Sequence, residues 1–114
     1  QTGDSIQIWG DGKNVRDYIH IDDAIQAIIK IIEYAGKEKV FNVGTGVGYT
    51  TNDIIKMLCS YMNVGCPKIE YVVSRKCDVD NNILDISLLQ NVIKFKPKYS
   101  LEEGIAEILN NSNK

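Results

Sequence analysis

The chain has 114 residues, of which 44% are hydrophobic and 25% charged, and its formal net charge is −2. This length suits one globular domain that buries roughly two-thirds of its unfolded surface. The slight acidity argues against a nucleic-acid or membrane partner held by bulk charge. Since no run of 18 apolar residues occurs, the sequence predicts no membrane span.

The three cysteines are Cys59, Cys66 and Cys77. An odd count without a C-x-x-C pair predicts neither a disulfide framework nor a zinc site. We therefore expect a reducing, cytoplasmic compartment, no bound metal and no catalytic thiol. Cys59 falls within a helical pattern and is expected to be a small core residue.

The first elements are a strand, an extended stretch and a helix. Ser5 to Trp9 alternates polar and apolar residues, which is typical of a strand. Val15 to Ile21 is expected to be extended, and a helix then begins at a cap on Asp22 or Asp23 and stops at Gly36. We expect this helix to be buried on more than one side, because its apolar positions are Ala24, Ile25, Ala27, Ile28, Ile29, Ile31, Ile32 and Ala35.

The middle of the chain repeats the alternation of strand and helix. Val40 to Val43 predicts a short strand, followed by a glycine-rich turn over residues 44–48. Thr50 and Asp53 have the spacing of a capping box for a helix that ends near Met62.

The last third predicts one more strand and two helices. Ile69 to Val73 is the strand, and an irregular segment and a brief extended stretch follow it. Ser87 is expected to cap a short helix, and Ser100 with Glu103 forms a second capping box for the final helix. The element order predicts an α/β domain of short, partly parallel strands with about four helices.

The turn Gly44-Thr45-Gly46-Val47-Gly48 stands where a dinucleotide-binding fingerprint would, between a strand and a capped helix. Its spacing departs from G-x-G-x-x-G, since Tyr49 replaces the third glycine. The fingerprint also includes an acidic residue that binds the ribose, about 20 residues after the glycines. Here the only such acid is Glu70, which lies inside a strand. We therefore predict a tight turn whose glycines permit positive φ, and no cofactor-binding residues in this chain.

Arg16 and Arg75 each lie in a polar connection that follows a strand. A guanidinium binds phosphate bidentately, so two of them suit a diphosphate. The alternative is a structural ion pair with Asp17 or Asp78.

Three other side chains have a functional and a structural interpretation. Trp9 is either a core anchor or a platform for a flat base. Tyr18 lies by alternation on the side of Arg16 and His20, and its hydroxyl has either a phosphate or a backbone group as partner. We expect the single histidine, His20, to be structural, and Asp22 and Asp23 to serve the helix N-terminus.

Several motifs together resemble one enzyme family. They are G-D-G-K-N-V-R-D-Y-I-H-I-D-D-A (10–24), F-N-V-G-T-G-V-G (41–48), R-K-C-D (75–78), L-D-I-S (84–87) and S-L-E-E-G-I (100–105). In this order they resemble the C-terminal segment of extended short-chain dehydrogenase/reductases of the NAD-dependent epimerase/dehydratase family, which act on nucleotide sugars and include UDP-glucose 4-epimerase.

The resemblance implies a role for seven residues in binding the nucleotide sugar. Arg16 would contact the diphosphate, and Arg75 and Asp78 the phosphate and ribose. The others would lie near the base or nucleotide: Trp9, Gln7, Tyr18 and Thr51. Two positions depart from the family pattern, since Asn82 stands where the epimerase has Tyr and Cys77 replaces a small residue.

The catalytic motifs of the family do not occur in this sequence. There is no G-x-x-G-x-x-G, and no Tyr is followed four residues later by Lys. The resemblance therefore implies that residues 1–114 are the substrate-binding C-terminal portion of a Rossmann-type enzyme. NAD or NADP and the catalytic pair would belong to an N-terminal portion, so this chain alone would not be catalytic.

The implied parent reaction is C4 epimerisation of a UDP-hexose. The alternatives are a dehydratase or keto-sugar reductase of surface-polysaccharide synthesis, a stand-alone nucleotide-sugar binding module, and an inactive fragment that self-associates through exposed core surface.

Overall fold

The computed structural model describes residues 5–112, so the first four residues, which lead into the expected first strand, lie outside it. Its fold confirms the predicted α/β class. The strands are β1 (Ile6–Trp9), β2 (Val15–Asp17), β3 (Gly48–Thr50), β4 (Ile69–Val72) and β5 (Asn81–Asn82). The helices are α1 (Ile21–Glu33), α2 (Thr51–Met62), a π-helix (Leu89–Ile93) and α3 (Leu101–Ser112).

The predicted parallel pairing is present in both sheets. β1 pairs with β4 in parallel, from Ile6 opposite Ile69 to Trp9 opposite Val72. The second sheet has the order β3-β2-β5, and β2 pairs in parallel with β5. A parallel pair needs a crossover connection, which the long segment containing α1 and α2 supplies between β1 and β4.

The chain divides into two compact units. The first contains the residues up to Arg16 together with Tyr49–Asn82, and the second contains Asp17–Gly48 together with the residues from Ile83 onward.

The first unit has a small core beneath β1. Ile8, Ile55 and Cys59 are buried, and Ile69 packs against them. Cys59 is thus the core residue that its position in the sequence predicts. A hydrogen bond with the Cys66 thiol, together with burial, raises the pKa of the Cys59 thiol.

α2 begins as its capping box predicts. The Thr50 hydroxyl accepts a hydrogen bond from the Asp53 backbone N–H, and the Asp53 carboxylate accepts one from the Thr50 N–H. Two N–H groups that have no partner within the helix are thereby satisfied. The helix ends at Met62, and its C-cap residue Asn63 is left-handed with φ 51°.

The core of the second unit is formed by Ala27, Ile86, Leu89, Ile93 and Phe95, and Leu89 is fully buried. The prediction that α1 is buried on more than one side is wrong for this chain. Five of its isoleucines are between 42% and 77% exposed: Ile21, Ile25, Ile28, Ile29 and Ile32. Ala27 and Ile31 occupy the side that packs on the core.

The ends of α1 also differ from the prediction. His20, not an aspartate, is the N-cap, and its Nδ1 accepts a hydrogen bond from the Asp22 N–H. Asp23 is 3% exposed and accepts hydrogen bonds at 2.9 Å from the backbone N–H groups of Lys98 and Tyr99. The helix ends at Glu33, before Gly36.

Two further predictions about the second unit are wrong. Residues 40–43 form no strand, because a strand requires a neighbour for its backbone groups and apolar sequence does not provide one. Ser87 does not cap the short helix. Instead its backbone N–H and hydroxyl both donate to Asp85, which lowers the pKa of that carboxyl.

Candidate functional site

The candidate site lies in the first unit, beside the turn that follows β1. Gly10 and Gly12 have φ of +81° and +72°, which glycine adopts without steric cost. The Asn52 N–H donates to Gly12 O, and the Asn52 side-chain amide donates to Asp11 O, both at 3.1 Å. A Cβ on Gly12 would collide with the Asn52 side chain. The start of α2 therefore holds this turn in place.

A cavity of about 440 Å³ opens next to the turn. Five of the residues predicted to bind ligand line it: Gln7, Trp9, Arg16, Thr51 and Asp78. Ile6, Ile8 and Ile55 make part of its wall apolar. We call it the Trp9 cavity.

A second cavity of about 360 Å³ adjoins the first, since Asn14 and Asp78 line both. Arg75 and Ser74 belong to this one, which we call the Arg75 cavity. Asp11 and Asp80 also line it, so one cation faces three carboxylates there. Six of the seven predicted ligand-binding residues thus come together in two adjoining cavities.

Arg16 does not form the alternative ion pair with Asp17. Its Nη1 donates to the backbone oxygens of Val79 at 2.6 Å and Val15 at 2.8 Å. A guanidinium has five N–H donors, so the other side-chain nitrogens remain for a ligand in the Trp9 cavity.

Trp9 is not a core anchor, since it is 53% exposed. The guanidinium carbon of Arg75 lies over its indole ring, 4.8 Å from the ring centroid. The Asp78 N–H donates to Arg75 O at 3.1 Å, and this turn holds the two residues near each other. An aromatic surface, two guanidinium groups and a carboxylate are the groups that bind a base, a diphosphate and a ribose hydroxyl.

The glycine-rich turn has a different role. Asp17 accepts hydrogen bonds at 2.8 Å from the N–H groups of Thr45 and Gly46. It also accepts one at 2.6 Å from the Thr45 hydroxyl and one at 3.3 Å from the Leu84 N–H. A Cβ on Gly44 would lie 2.8 Å from Asp17 Oδ2. The N–H groups that would bind a phosphate in a fingerprint therefore bind a carboxylate of the same chain, and the turn does not fit a dinucleotide.

Tyr18 is the predicted site residue that lines neither cavity. It belongs to the second unit and is 38% exposed. His20 belongs there too. Its Nε2 lies 3.2 Å from Glu107 Oε2, and its ring stacks on Tyr99 at 4.2 Å. These contacts and its capping role make His20 structural, as expected.

Sequence reasoning missed Asn14 and Asn52. Asn14 is half-buried and lines both cavities. Alternation along an extended segment places residues 14 and 16 on one face, so Asn14 could have been predicted from the position of Arg16. Asn52 gave no such signal, because the turn residues that it binds, Asp11 and Gly12, lie about 40 positions away.

Within residues 5–112, no group of three or more His, Cys, Asp or Glu side chains is placed to hold a metal ion. Nor does that part of the chain contain a helix long and apolar enough to cross a bilayer.

Comparison with known proteins gives a consistent set of matches. The family model described as "NAD dependent epimerase/dehydratase family" matches residues 1–44. The chain is 34% identical to a UDP-glucose 4-epimerase of Mycolicibacterium smegmatis over 93% of its own length and 34% of the relative's. It is 27% identical to a dTDP-glucose 4,6-dehydratase of Streptomyces griseus over 91% of its length and 32% of the relative's.

A solved structure shows the same fold. The Thermotoga maritima UDP-glucose 4-epimerase, crystallised with UDP-glucose, superposes with a TM-score of 0.85 at 36% identity. The match covers 98% of this chain and 37% of the epimerase chain, so the chain spans about a third of the length of the proteins it resembles. The first 44 residues thus match the family model, and more than nine-tenths of the chain is similar to about a third of the length of enzymes described as NAD-dependent epimerases and dehydratases.

Proposed function

We propose that this chain is the substrate-binding, C-terminal portion of an NAD-dependent nucleotide-sugar epimerase that acts at C4 of a UDP-hexose. One observation carries the proposal: Gln7, Trp9, Arg16, Thr51 and Asp78 line a single cavity, which adjoins the cavity of Arg75. These residues carry groups that suit each part of a nucleoside diphosphate.

The role of each residue follows from its chemistry. Arg16 and Arg75 hold the diphosphate, and Asp78 accepts a hydrogen bond from the ribose. Trp9, with Gln7 on the same strand, faces the base. Binding energy from the nucleotide then positions the hexose at a reacting centre remote from these contacts, which is catalysis by positioning.

The remainder of the enzyme supplies the chemistry. NAD accepts and returns a hydride when it is bound, but this chain has neither the family's dinucleotide motif nor its Tyr-x-x-x-Lys pair. The N–H groups of its own glycine-rich turn are bound to Asp17. We therefore assign the cofactor and the catalytic residues to an N-terminal Rossmann portion of the parent protein.

The exposed isoleucines of α1 support the existence of that portion. Ile25, Ile28 and Ile32 present an apolar surface that the described part of the chain does not cover, and such surfaces mark interfaces. We propose that the nucleotide-binding portion packs there, in a cytoplasmic enzyme. Without it, the same surface would favour self-association, which sedimentation velocity at several concentrations would detect.

Calorimetric titration with UDP tests the nucleotide site. Arg16→Ala and Arg75→Ala should each weaken binding by about 1.5–3 kcal/mol, the scale of a charge-assisted contact. Lys76→Ala is the matched control, because Lys76 neighbours Arg75 but lines neither cavity. Undiminished binding in both arginine variants would refute the site.

The similarity to a dTDP-glucose dehydratase makes a dehydratase the second candidate. Titration with UDP-glucose and dTDP-glucose separates the two proposals, because the first expects tighter binding of the uridine nucleotide. A stand-alone sensor is the third candidate. It predicts that the whole protein binds the nucleotide sugar with full affinity but shows no turnover of it with NAD. Micromolar binding of NAD by the 114-residue chain would contradict our assignment of the cofactor.

A further inference from the structure

Arg75 and Trp9 contact each other, although the proposed function assigns them to different parts of the ligand, Arg75 to the diphosphate and Trp9 to the base. Arg75 lines one cavity and Trp9 the other, yet the guanidinium carbon of Arg75 lies over the indole, 4.8 Å from its centroid. One face of the ring on which a base would stack is therefore covered by the cation that would bind the diphosphate.

The two contacts differ in strength. A guanidinium over an exposed indole is held by a weak cation–π attraction. Paired hydrogen bonds to phosphate oxygens are charge-assisted and stronger. A diphosphate in the Arg75 cavity would therefore draw the guanidinium off the ring, whereas an uncharged nucleoside has nothing with which to replace that contact.

Arg75 is also free to move. Its side chain is exposed, and among the described residues it forms no salt bridge or side-chain hydrogen bond, so the ring contact with the indole is its one specific interaction. The backbone of the segment is held independently, by the Arg16 hydrogen bond to Val79 O and by the Asp78 N–H on Arg75 O. The guanidinium can leave the ring without rearrangement of the chain.

We propose that Arg75 makes the base-stacking surface of Trp9 available only to ligands that carry a diphosphate. This inference rests on the proposed nucleotide site and extends it, because it assigns to the Trp9–Arg75 pair the discrimination between nucleoside diphosphates and nucleosides. Arg75 opposes base binding until phosphate engages it, and then supports the whole ligand.

Trp9 is the only tryptophan in the chain, so its fluorescence reports this contact directly. Inorganic pyrophosphate has no base, and it should change the Trp9 emission of the wild-type chain and of the control Lys76→Ala. In Arg75→Ala the same titration should leave the emission unchanged.

Calorimetry with uridine and UDP supplies the second measurement. Arg75→Ala should bind UDP about tenfold more weakly but uridine about twofold more tightly than the wild type does. A residue that only contacts phosphate would not affect uridine. Arg75→Lys retains the charge but lacks the planar fork, and should lie between the wild type and Arg75→Ala in both titrations.

Two results would overturn the inference and leave the proposed function intact: uridine affinity that does not rise in Arg75→Ala, or pyrophosphate binding without a change in emission. Failure of the wild-type chain to bind UDP at millimolar concentration would refute the proposed function, and this inference with it.

Discussion

Arg16 donates a hydrogen bond of 2.6 Å to the carbonyl oxygen of Val79, 63 residues away in the chain. This bond joins β2 to the segment that carries Arg75 and Asp78. Arg16 therefore has two roles in the proposed site: it lines the Trp9 cavity itself, and it holds the segment that lines the neighbouring one.

Replacement of Arg16 by Lys should separate charge from geometry. Lysine keeps the positive charge, but its compact ammonium cannot hold Val79 O and a phosphate in the way that the guanidinium fork does. We expect Arg16→Lys to weaken UDP binding by about tenfold in a calorimetric titration. Trypsin should also cleave the Arg16→Lys variant faster after Arg75 and Lys76, because the bond to Val79 O that holds this segment is weakened.

Lys13→Ala is the control for that experiment, since Lys13 is exposed on the same turn and lines neither cavity. If Arg16→Lys matched the wild type in both affinity and proteolysis, the bond to Val79 would have no organising role.

Asp17 should contribute strongly to stability through the glycine-rich turn. In Asp17→Asn one oxygen becomes an NH₂ group, which cannot accept a hydrogen bond, so either the Thr45 N–H on Oδ1 or the Gly46 N–H on Oδ2 loses its acceptor. We expect a loss of about 2–3 kcal/mol in the free energy of unfolding, measured by urea denaturation. Asp22→Asn, at an exposed position of α1, should cost less than about 1 kcal/mol. Equal losses in the two variants would contradict the role of Asp17.

The capping box of α2 should make stability depend on pH. Hydrogen bonds from the Thr50 hydroxyl and N–H lower the pKa of Asp53 from its ordinary value of 3.8. Because the unfolded state then takes up the proton first, the stabilisation is present above about pH 4 and is lost as pH falls through the folded-state pKa.

The measurement compares unfolding free energies of the wild type and Asp53→Asn at pH 7 and pH 3. The wild-type advantage should be largest at pH 7 and should shrink at pH 3. Two curves that stay parallel over this range would show that the Asp53 charge does not stabilise the folded state.

Two adjacent leucines test the core of the second unit. Leu89 is fully buried and Leu88 is 37% exposed. Leu89→Ala removes buried surface and leaves a cavity, so it should cost about 2–5 kcal/mol in the free energy of unfolding. Leu88→Ala should cost about 1 kcal/mol or less in the same urea titration. A larger loss for Leu88→Ala than for Leu89→Ala would contradict the assignment of Leu89 to the core.

The fold class and the local starts of two helices were predicted from the residues alone. The α/β class, the parallel strand pairs, and the capping boxes of Thr50 with Asp53 and Ser100 with Glu103 are all present. Each capping box lies within one helical turn, so the local residue types suffice to specify it. The seven ligand residues were expected from the family resemblance, and the structure brings six of them together in two adjoining cavities.

Features that depend on distant residues were decided only by the tertiary structure. The sequence suggested Asp22 or Asp23 as the cap of α1, but His20 is the N-cap, and Asp23 instead accepts hydrogen bonds from the N–H groups of Lys98 and Tyr99. Residues 40–43 have the composition of a strand but no partner strand among the described residues. Asp17 satisfies a turn 28 residues away, and the Trp9–Arg75 contact spans two separate strand ends. Hydrogen bonds and cation–π contacts require both partners in place, so composition and spacing narrow the candidates but only the folded chain selects among them.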